Sequence, residues 1–488
     1  MDSESSSVSL VPPIITNWVN ELESNTINDS TKTNDSTVTS NGNSTTANEL
    51  VPCASEISLM NKALCNKLRH TTNKVEVMQR DSNSVLYSVK SFEELNIPQP
   101  LLRGIYDMGF SKPSRIQETA LPILFQDGDG SDGSSLRRTN LIAQSQSGTG
   151  KTAAFLLASL YRIRPEQAYP QVIILSPTYE LALQTAQVAR QMAKYLPSIS
   201  IRNVVRGEIL QRGHCMTEQI LIGTPGKMID WAMKYKFFDI KKIAVFVLDE
   251  ADVMIDTQGL GAQSIKLKQF LPSDCQIMLF SATYTDEVTK FAYSVVPPPV
   301  QVLRLRVEQQ SLDNIAQYYI EVASEVDKYE ALANIFGTIS IGQAFIFVET
   351  KISASRLVQQ LRADGHSVGL ISGDLTVEQR NEALRRFRDG EERVIVATNL
   401  MARGIDIEQV TLVINYDLPV NVSTKEVDHE TYLHRIGRTG RFGKEGLAIN
   451  FVDSQRALEM IQILERHFGK RIKKLDATDV DEIEKIAN

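Results

Sequence analysis

The sequence predicts an α/β protein: two tandem domains, each a parallel sheet flanked by helices, behind a flexible N-terminal extension. Three observations carry this. Short runs of aliphatic and β-branched residues recur with helix-like stretches between them, as strands buried on both faces of a parallel sheet require. The alternation is interrupted once, around Val296 to Val300, and then resumes. The 488 residues suit two or three domains at about 150 residues each.

The first fifty residues are dominated by Ser, Thr and Asn. Such a stretch buries too little apolar surface to offset its ordering entropy, so residues 1–55 are expected to be a disordered tail. Residues 56–72 differ: Ile57, Met60, Leu64 and Leu68 recur at three- and four-residue spacing, which describes an amphipathic helix. A helix this short is marginal alone and must lie on something. The first domain, 73–304, carries strand-like runs at Asn140–Gln144, Val172–Ser176, Ile220–Thr224, Ala244–Leu248 and Gln276–Phe280. The second, 305–488, carries them at Ala344–Val348, Ser367–Ile371, Arg393–Ala397, Thr411–Asn415 and Ala448–Val452. The stretch from Gln126 to Arg138, rich in Gly, Asp and Ser, reads as a surface loop; Arg138 stands where a calcium loop of the EF-hand type requires glutamate.

Composition narrows the function. At 42% hydrophobic and 23% charged residues, the chain matches a globular cytosolic protein. Lys and Arg number 52 against 59 Asp and Glu, a net charge of −7. Binding of nucleic acid by bulk positive charge is excluded, so any such contact has to come from a local patch. The cysteines Cys53, Cys65, Cys215 and Cys275 are isolated, which fits reduced thiols and neither a disulfide framework nor a zinc site. No apolar run approaches the roughly 18 residues of a spanning helix, and the first residues do not resemble a signal peptide, so neither membrane insertion nor secretion is expected.

The strongest local signal follows the first strand run. Ser145, Gln146, Ser147, Gly148, Thr149, Gly150, Lys151 and Thr152 lead into a helical stretch. Glycines at 148 and 150 let backbone N–H groups close around phosphate oxygens, and a helix N-terminus favours negative charge. Lys151 then reaches the β and γ phosphates, and the Thr152 hydroxyl ligates Mg²⁺. The strict phosphate-loop pattern has glycine where this chain has Ser145. Asp249 and Glu250 end the run Ala244–Leu248. A carboxylate at the carboxyl end of a parallel strand beside a phosphate loop holds Mg²⁺, which gives Asp249 that role. Glu250 is placed to orient and deprotonate the attacking water. In the second domain, His434, Arg435, Gly437, Arg438, Gly440 and Arg441 interleave glycine with arginine. Guanidinium groups bind phosphate bidentately and carry fixed charge, which suits them to phosphoryl transfer. A nucleotide held by both clusters lies between the domains, and hydrolysis then requires the domains to close.

In this order, these segments resemble the DEAD-box family of RNA-dependent ATPases. The stretch Gly109 to Gln117, with Phe92 upstream, looks like the family's adenine-reading segment. The resemblance implies that the Gln117 amide pairs with adenine N6 and N7 and that Phe92 stacks on the ring. Ser281, Ala282 and Thr283 are similar to the segment that couples hydrolysis to domain movement, and His434 shares that coupling role. Pro177, Thr178, Gly207, Thr224, Gly226, Gln379, Arg380, Thr398 and Asn399 match RNA-backbone positions. Asp406 matches a residue that contacts ATP, and Arg438 and Arg441 match the family's arginine fingers. The resemblance covers about residues 56 to 488. It implies two RecA-like domains, ATP and Mg²⁺ as cofactors, and single-stranded RNA held by phosphates and 2′-hydroxyls with little sequence preference.

Within the family, Val75–Asp81, Leu141–Ser147, Ser176–Thr185, Tyr432–Gly437 and Asp481–Asn488 are most similar to the mRNA-export helicases of the nuclear pore. That likeness implies an inhibitory role for the helix 56–72, wedged between the domains; the plainer alternative packs it on one domain. It also implies a cytoplasmic-filament nucleoporin and an inositol-hexakisphosphate-dependent export activator as partners. The expected location is cytoplasm and nucleus, enriched at the pore, and the expected state is a monomer. Two other readings stand beside it: a DEAD-box factor of another pathway, such as translation initiation, and an ATP-dependent RNA clamp that scarcely turns over.

Overall fold

The computed structural model describes residues 75–78, 89–126, 138–144, 149–256, 259–305, 314–339, 342–398, 410–421, 424–440 and 445–487. The expected tail 1–55, the expected helix 56–72 and residues 127–137 of the surface loop lie outside these. Among the described residues no helix is long and apolar enough to cross a membrane. Cys215 is exposed and Cys275 buried, both as free thiols.

Eight strands form the first sheet: β1 (Val75–Met78), β2 (Asn140–Gln144), β3 (Val172–Leu175), β4 (Ile201–Val204), β5 (Ile220–Gly223), β6 (Val245–Leu248), β7 (Gln276–Ser281) and β8 (Val300–Leu305). Their order is β1-β8-β2-β7-β6-β3-β5-β4, with β1 antiparallel to β8 and every other pair parallel. The second sheet holds β9 (Ile315–Glu321), β10 (Gln343–Val348), β11 (Val368–Ile371), β12 (Val394–Thr398), β13 (Val410–Asn415), β14 (Gly446–Val452) and β15 (Lys473–Lys474). It is parallel throughout, in the order β11-β12-β10-β13-β14-β9-β15.

Central strands feed two cores at once. In β3, Val172 and Ile174 point into one apolar cluster and Ile173 and Leu175 into the other. In β10, Phe345 and Phe347 face one side while Ala344, Ile346 and Val348 face the opposite one. Period-two alternation in a strand with no polar side gives the unbroken apolar runs seen in the sequence. Helices close both faces, and many begin on a capping side chain. Thr178, Thr285, Ser324, Thr350, Thr376, Asp428 and Ser454 each accept the N–H three residues on.

Five strands lack such a run. β4 is an edge strand with a half-exposed polar middle, Arg202 and Asn203. β8 and β9 alternate apolar and polar residues because each lies one place from an edge. β15 is two lysines. β1 is four residues of antiparallel edge, which makes the first sheet mixed where the sequence suggested a purely parallel one.

Chain order sets the site. From β2 the chain crosses to β3, three places away, runs out to the edge at β4, and returns through β5, β6 and β7. The carboxyl ends of β2, β7 and β6 thus lie side by side, where open α/β sheets bind ligands.

Candidate nucleotide and nucleic-acid site

Each of those three ends carries a segment singled out from the sequence. β2 runs toward the phosphate loop, β7 ends at Ser281 in register with Gln144, and β6 is followed by Asp249 and Glu250. Ser145, Gln146, Ser147 and Gly148 lie outside the described residues. Gly150 closes the loop at φ +93°, and a Cβ there would stand 2.5 Å from Gln117 Nε2. Conformation and space both demand glycine. Gln117 is buried; its Nε2 donates to the Gly150 carbonyl at 3.0 Å and its Oε1 accepts the Ser114 N–H at 2.9 Å. The amide expected on adenine therefore also ties the loop to the start of the helix Arg115–Phe125. A primary amide has four hydrogen-bonding positions, so this leaves capacity for a base edge. Phe92, expected to stack on adenine, is 2% exposed, its ring edge-on to Tyr106 at 6.4 Å in the first core. A base reaches it only if that cover moves.

Lys151 opens the helix Lys151–Arg162 from a buried position, with Thr152 half-buried beside it. Asp249 extends β6 by one residue, its N–H donating to the Leu175 carbonyl at 3.0 Å. Its buried carboxylate accepts the Glu250 N–H at 3.0 Å. Burial, then the charge of Glu250, push the Asp249 carboxyl up to about 7 against the pull of Lys151. Glu250 sits at φ +48°, a conformation that costs a non-glycine residue about 1–2 kcal/mol. Its Oε2 is buried with no hydrogen-bond partner among the described residues. A strained residue holding an unsatisfied carboxylate oxygen next to a carboxyl with a raised pKa is poised to receive a proton or a cation.

Asp252, one turn further on, joins the two domains. Its Oδ2 accepts the Thr283 N–H at 3.0 Å and the Thr283 hydroxyl at 2.9 Å, and lies 3.3 Å from His434 Nε2. All three residues are buried. His434 belongs to the helix His429–Ile436 of the second domain, so a single carboxylate oxygen receives the coupling segment from one side and the arginine-rich cluster from the other. On that helix Arg435 is structural: its Nη1 donates to Asn415 Oδ1 at 2.9 Å and to the Asp417 carbonyl at 2.6 Å. Arg438 is buried and its Nε donates to the His434 carbonyl at 2.8 Å. Asp406 and Arg441 lie outside the described residues.

The RNA-type positions follow the other strands of the same sheet edge. Pro177 and Thr178 come after β3, Gly207 after β4, and Thr224 and Gly226 after β5. Thr178 Oγ1 caps the helix Tyr179–Met192 through the Leu181 N–H at 3.2 Å. Gly207 is exposed at φ +94° with nothing within 4 Å of a notional Cβ. Thr224 is half-buried, its N–H bonded to the Val204 carbonyl at 3.2 Å, and Gly226 faces Gln263. In the second domain Thr398 ends β12 and is buried; Asn399 lies outside the described residues. Gln379 is exposed and its Oε1 accepts the Thr376 N–H at 2.9 Å.

Arg380 makes a contact that its spacing does not predict. Its Nε donates to Glu180 Oε1 at 2.8 Å across the domains, and its Nη1 to the Leu375 carbonyl at 2.9 Å. With side chains 12% and 6% exposed, this is a largely buried pair, in which removal of one partner costs about 3–5 kcal/mol. Sequence reasoning missed Glu180 and gave Asp252 no role. Both are acids in otherwise apolar first turns, a weak signal that only their burial turns into a strong one. Elsewhere Glu325, Asp417 and Asp453 converge as metal ligands might. The Lys328 ammonium already fills that space, at 3.1, 3.0 and 2.7 Å.

Residues 114–291 match the DEAD/DEAH box helicase family and residues 327–443 the helicase conserved C-terminal domain. The chain is 55% identical to human ATP-dependent RNA helicase DDX19A over 88% of each chain. It is similar to S. cerevisiae Dbp5 bound to RNA and ADP BeF3, with a TM-score of 0.76 and 43% identity over 82% of this chain and 99% of that one. A second Dbp5 structure, a variant bound to Nup159, a Gle1 variant, IP6 and ADP, matches with a TM-score of 0.60 and 41% identity over 80% and 98%.

Proposed function

Because the chain belongs to the DEAD-box family of ATP-dependent RNA helicases, we propose that it remodels RNA–protein complexes during mRNA export at the nuclear pore. In this reading ATP and RNA each favour the closed arrangement of the two domains, and by linkage each strengthens the binding of the other. The observation that carries it is the shared oxygen of Asp252, which joins Thr283 and His434 across the domains.

The nucleotide lies against Lys151 and Arg438, with Glu250 as the group that takes the proton of the attacking water. Arg441 and Asp406 complete the arrangement by family match. Mg²⁺ fits the donor set of a buried carboxylate at Asp249 and a hydroxyl at Thr152, which leaves the unsatisfied Glu250 oxygen for the attacking water. Such an ion would neutralise charge on the phosphates. RNA runs along Pro177, Thr178, Gly207, Thr224 and Gly226 toward Gln379, Thr398 and Asn399, where backbone contacts give salt-sensitive affinity without sequence preference.

The relative solved with Nup159 and with Gle1 and IP6 supports two partners for this chain: a nucleoporin of the cytoplasmic filaments and an inositol-hexakisphosphate-dependent activator. A monomer enriched at the pore accords with both. The segment 56–72, expected from its spacing to be a helix, is assigned an inhibitory role.

The test is ATP hydrolysis by the full chain with and without single-stranded RNA. RNA stimulation is expected, and deleting residues 1–70 should raise the rate. Binding of RNA without stimulated turnover would instead make the protein a stationary clamp, and an unchanged rate on deletion removes the inhibitory helix. Failure of the purified nucleoporin and activator to bind would remove the export assignment and leave the ATPase intact.

A further inference from the structure

Tyr284 follows Thr283 directly, and so inherits whatever displacement Asp252 and His434 impose on that segment. Its half-buried ring packs at the edge of one core of the first domain. The Arg304 guanidinium lies over it, 4.1 Å from the ring centroid. Arg304 is in β8, on the side that also sends Val300 and Val302 into that core. β8 is the last strand of the first sheet before the chain passes to β9 of the second. The two ends of this contact thus belong to different machinery. One is the segment expected to couple hydrolysis to domain movement, and the other is the strand from which the covalent connection between the domains departs.

Building on the ATP–RNA coupling proposed above, we propose that Tyr284 and Arg304 are a positioning pair: the ring held beneath the guanidinium relays the state of Ser281–Thr283 to β8, and so to the second domain. A planar cation over an aromatic face holds a ring by its orientation as well as by contact, which lysine reproduces only in part. Burial pushes the Tyr284 hydroxyl up while the neighbouring Arg304 works against it. Neither residue is among those assigned above to nucleotide or RNA, so the effect of the pair should appear in how the two ligands influence each other.

The experiment measures RNA affinity of the full chain with and without a non-hydrolysable ATP analogue, for wild type, Arg304→Gln, Arg304→Lys, Tyr284→Ala and Tyr284→Phe. Arg304→Gln and Tyr284→Ala should each cut the enhancement of RNA binding by the analogue about tenfold, with the analogue's own affinity unchanged without RNA. The double variant should be no worse than either single one, which marks a shared interaction. Tyr284→Phe should keep the coupling and Arg304→Lys should restore part of it. If Arg304→Gln proves unstable, Arg304→Lys and Tyr284→Phe carry the comparison, since only a relay separates them. Full coupling in both disruptive singles, or equal loss of affinity for the analogue alone, overturns the pair. Absence of coupling in the wild type would overturn the proposed function, a distinct result.

Discussion

The carboxyl edge of the first sheet is divided. Around β2, β7 and β6 the candidate side chains are ionisable and mostly buried: Lys151, Asp249 and Asp252, with His434 brought in from the second domain, beside half-buried Thr152 and Glu250. Around β3, β5 and β4 they are half-buried threonines and an exposed glycine, Thr178, Thr224 and Gly207. The difference suits what each half is proposed to handle. Charge that develops on a phosphate is stabilised most by fixed groups shielded from water, where Coulomb interactions are strongest. A polynucleotide backbone is held by many weak contacts in a wet groove, and its binding falls with salt. A dry half and a wet half should therefore fail differently when altered.

The largest expected effect lies in the dry half. Glu250→Gln keeps the shape of the side chain and removes the proposed base, so turnover should drop by about 10²–10⁴-fold. ATP and RNA should stay bound, because nothing in the wet half depends on that carboxylate. Steady-state hydrolysis beside RNA binding under an ATP analogue checks both, and surviving turnover would show that another group takes the proton. Gly150→Ala comes next. It meets both the left-handed φ and the Gln117 amide at 2.5 Å, so the KM for ATP should rise about 10- to 100-fold.

A pH series sharpens the division further. The Asp249 carboxyl is raised from 3.8 to about 7, so between those values the folded protein holds a proton that the unfolded chain has released. The stability contributed by this group is therefore present at the acidic end and is lost as pH rises toward 7. A divalent cation at Asp249 has to displace that proton. The Mg²⁺ concentration for half-maximal hydrolysis should accordingly climb as pH falls from 8 to 6, by up to about tenfold per unit below 7. RNA affinity, carried by positions with no such carboxyl, should not follow the same curve. A Mg²⁺ requirement that stays flat across the series would take Asp249 out of the metal site.

The same division decides what was legible beforehand. Continuous apolar runs located the central strands because those are buried on both faces. β4, β8 and β9 escaped because near-edge strands alternate, and β15 offers no apolar residue at all. Lys151, Thr152, Asp249 and Glu250 can be singled out because the roles expected of them depend on spacing from a strand end. The Asp252 junction cannot, since a carboxylate that receives Thr283 and His434 is defined only once residues 31 and 182 positions away arrive beside it. For the same reason the Glu180–Arg380 pair, 200 residues apart, leaves no local signal in the sequence. Local chemistry is written in spacing, whereas contacts between domains are written in the fold.

Gly207→Ala gives the smallest effect and bears most directly on the wet half. The backbone there has φ +94°, yet a Cβ would meet nothing within 4 Å. Strain then acts alone, about 1–2 kcal/mol if the turn keeps its shape and less if it relaxes. A loop in water relaxes more readily than one clamped by Gln117, so RNA affinity should fall by about tenfold at most, while the KM for ATP without RNA stays at the wild-type value. Binding measured at two salt concentrations separates a displaced backbone from a lost charge contact, since alanine removes no cation and the salt dependence should be unchanged. Were the ATP KM to shift as far as the RNA affinity, the two halves of the edge would be one cooperative unit, and the boundary drawn between β6 and β3 would have no functional meaning.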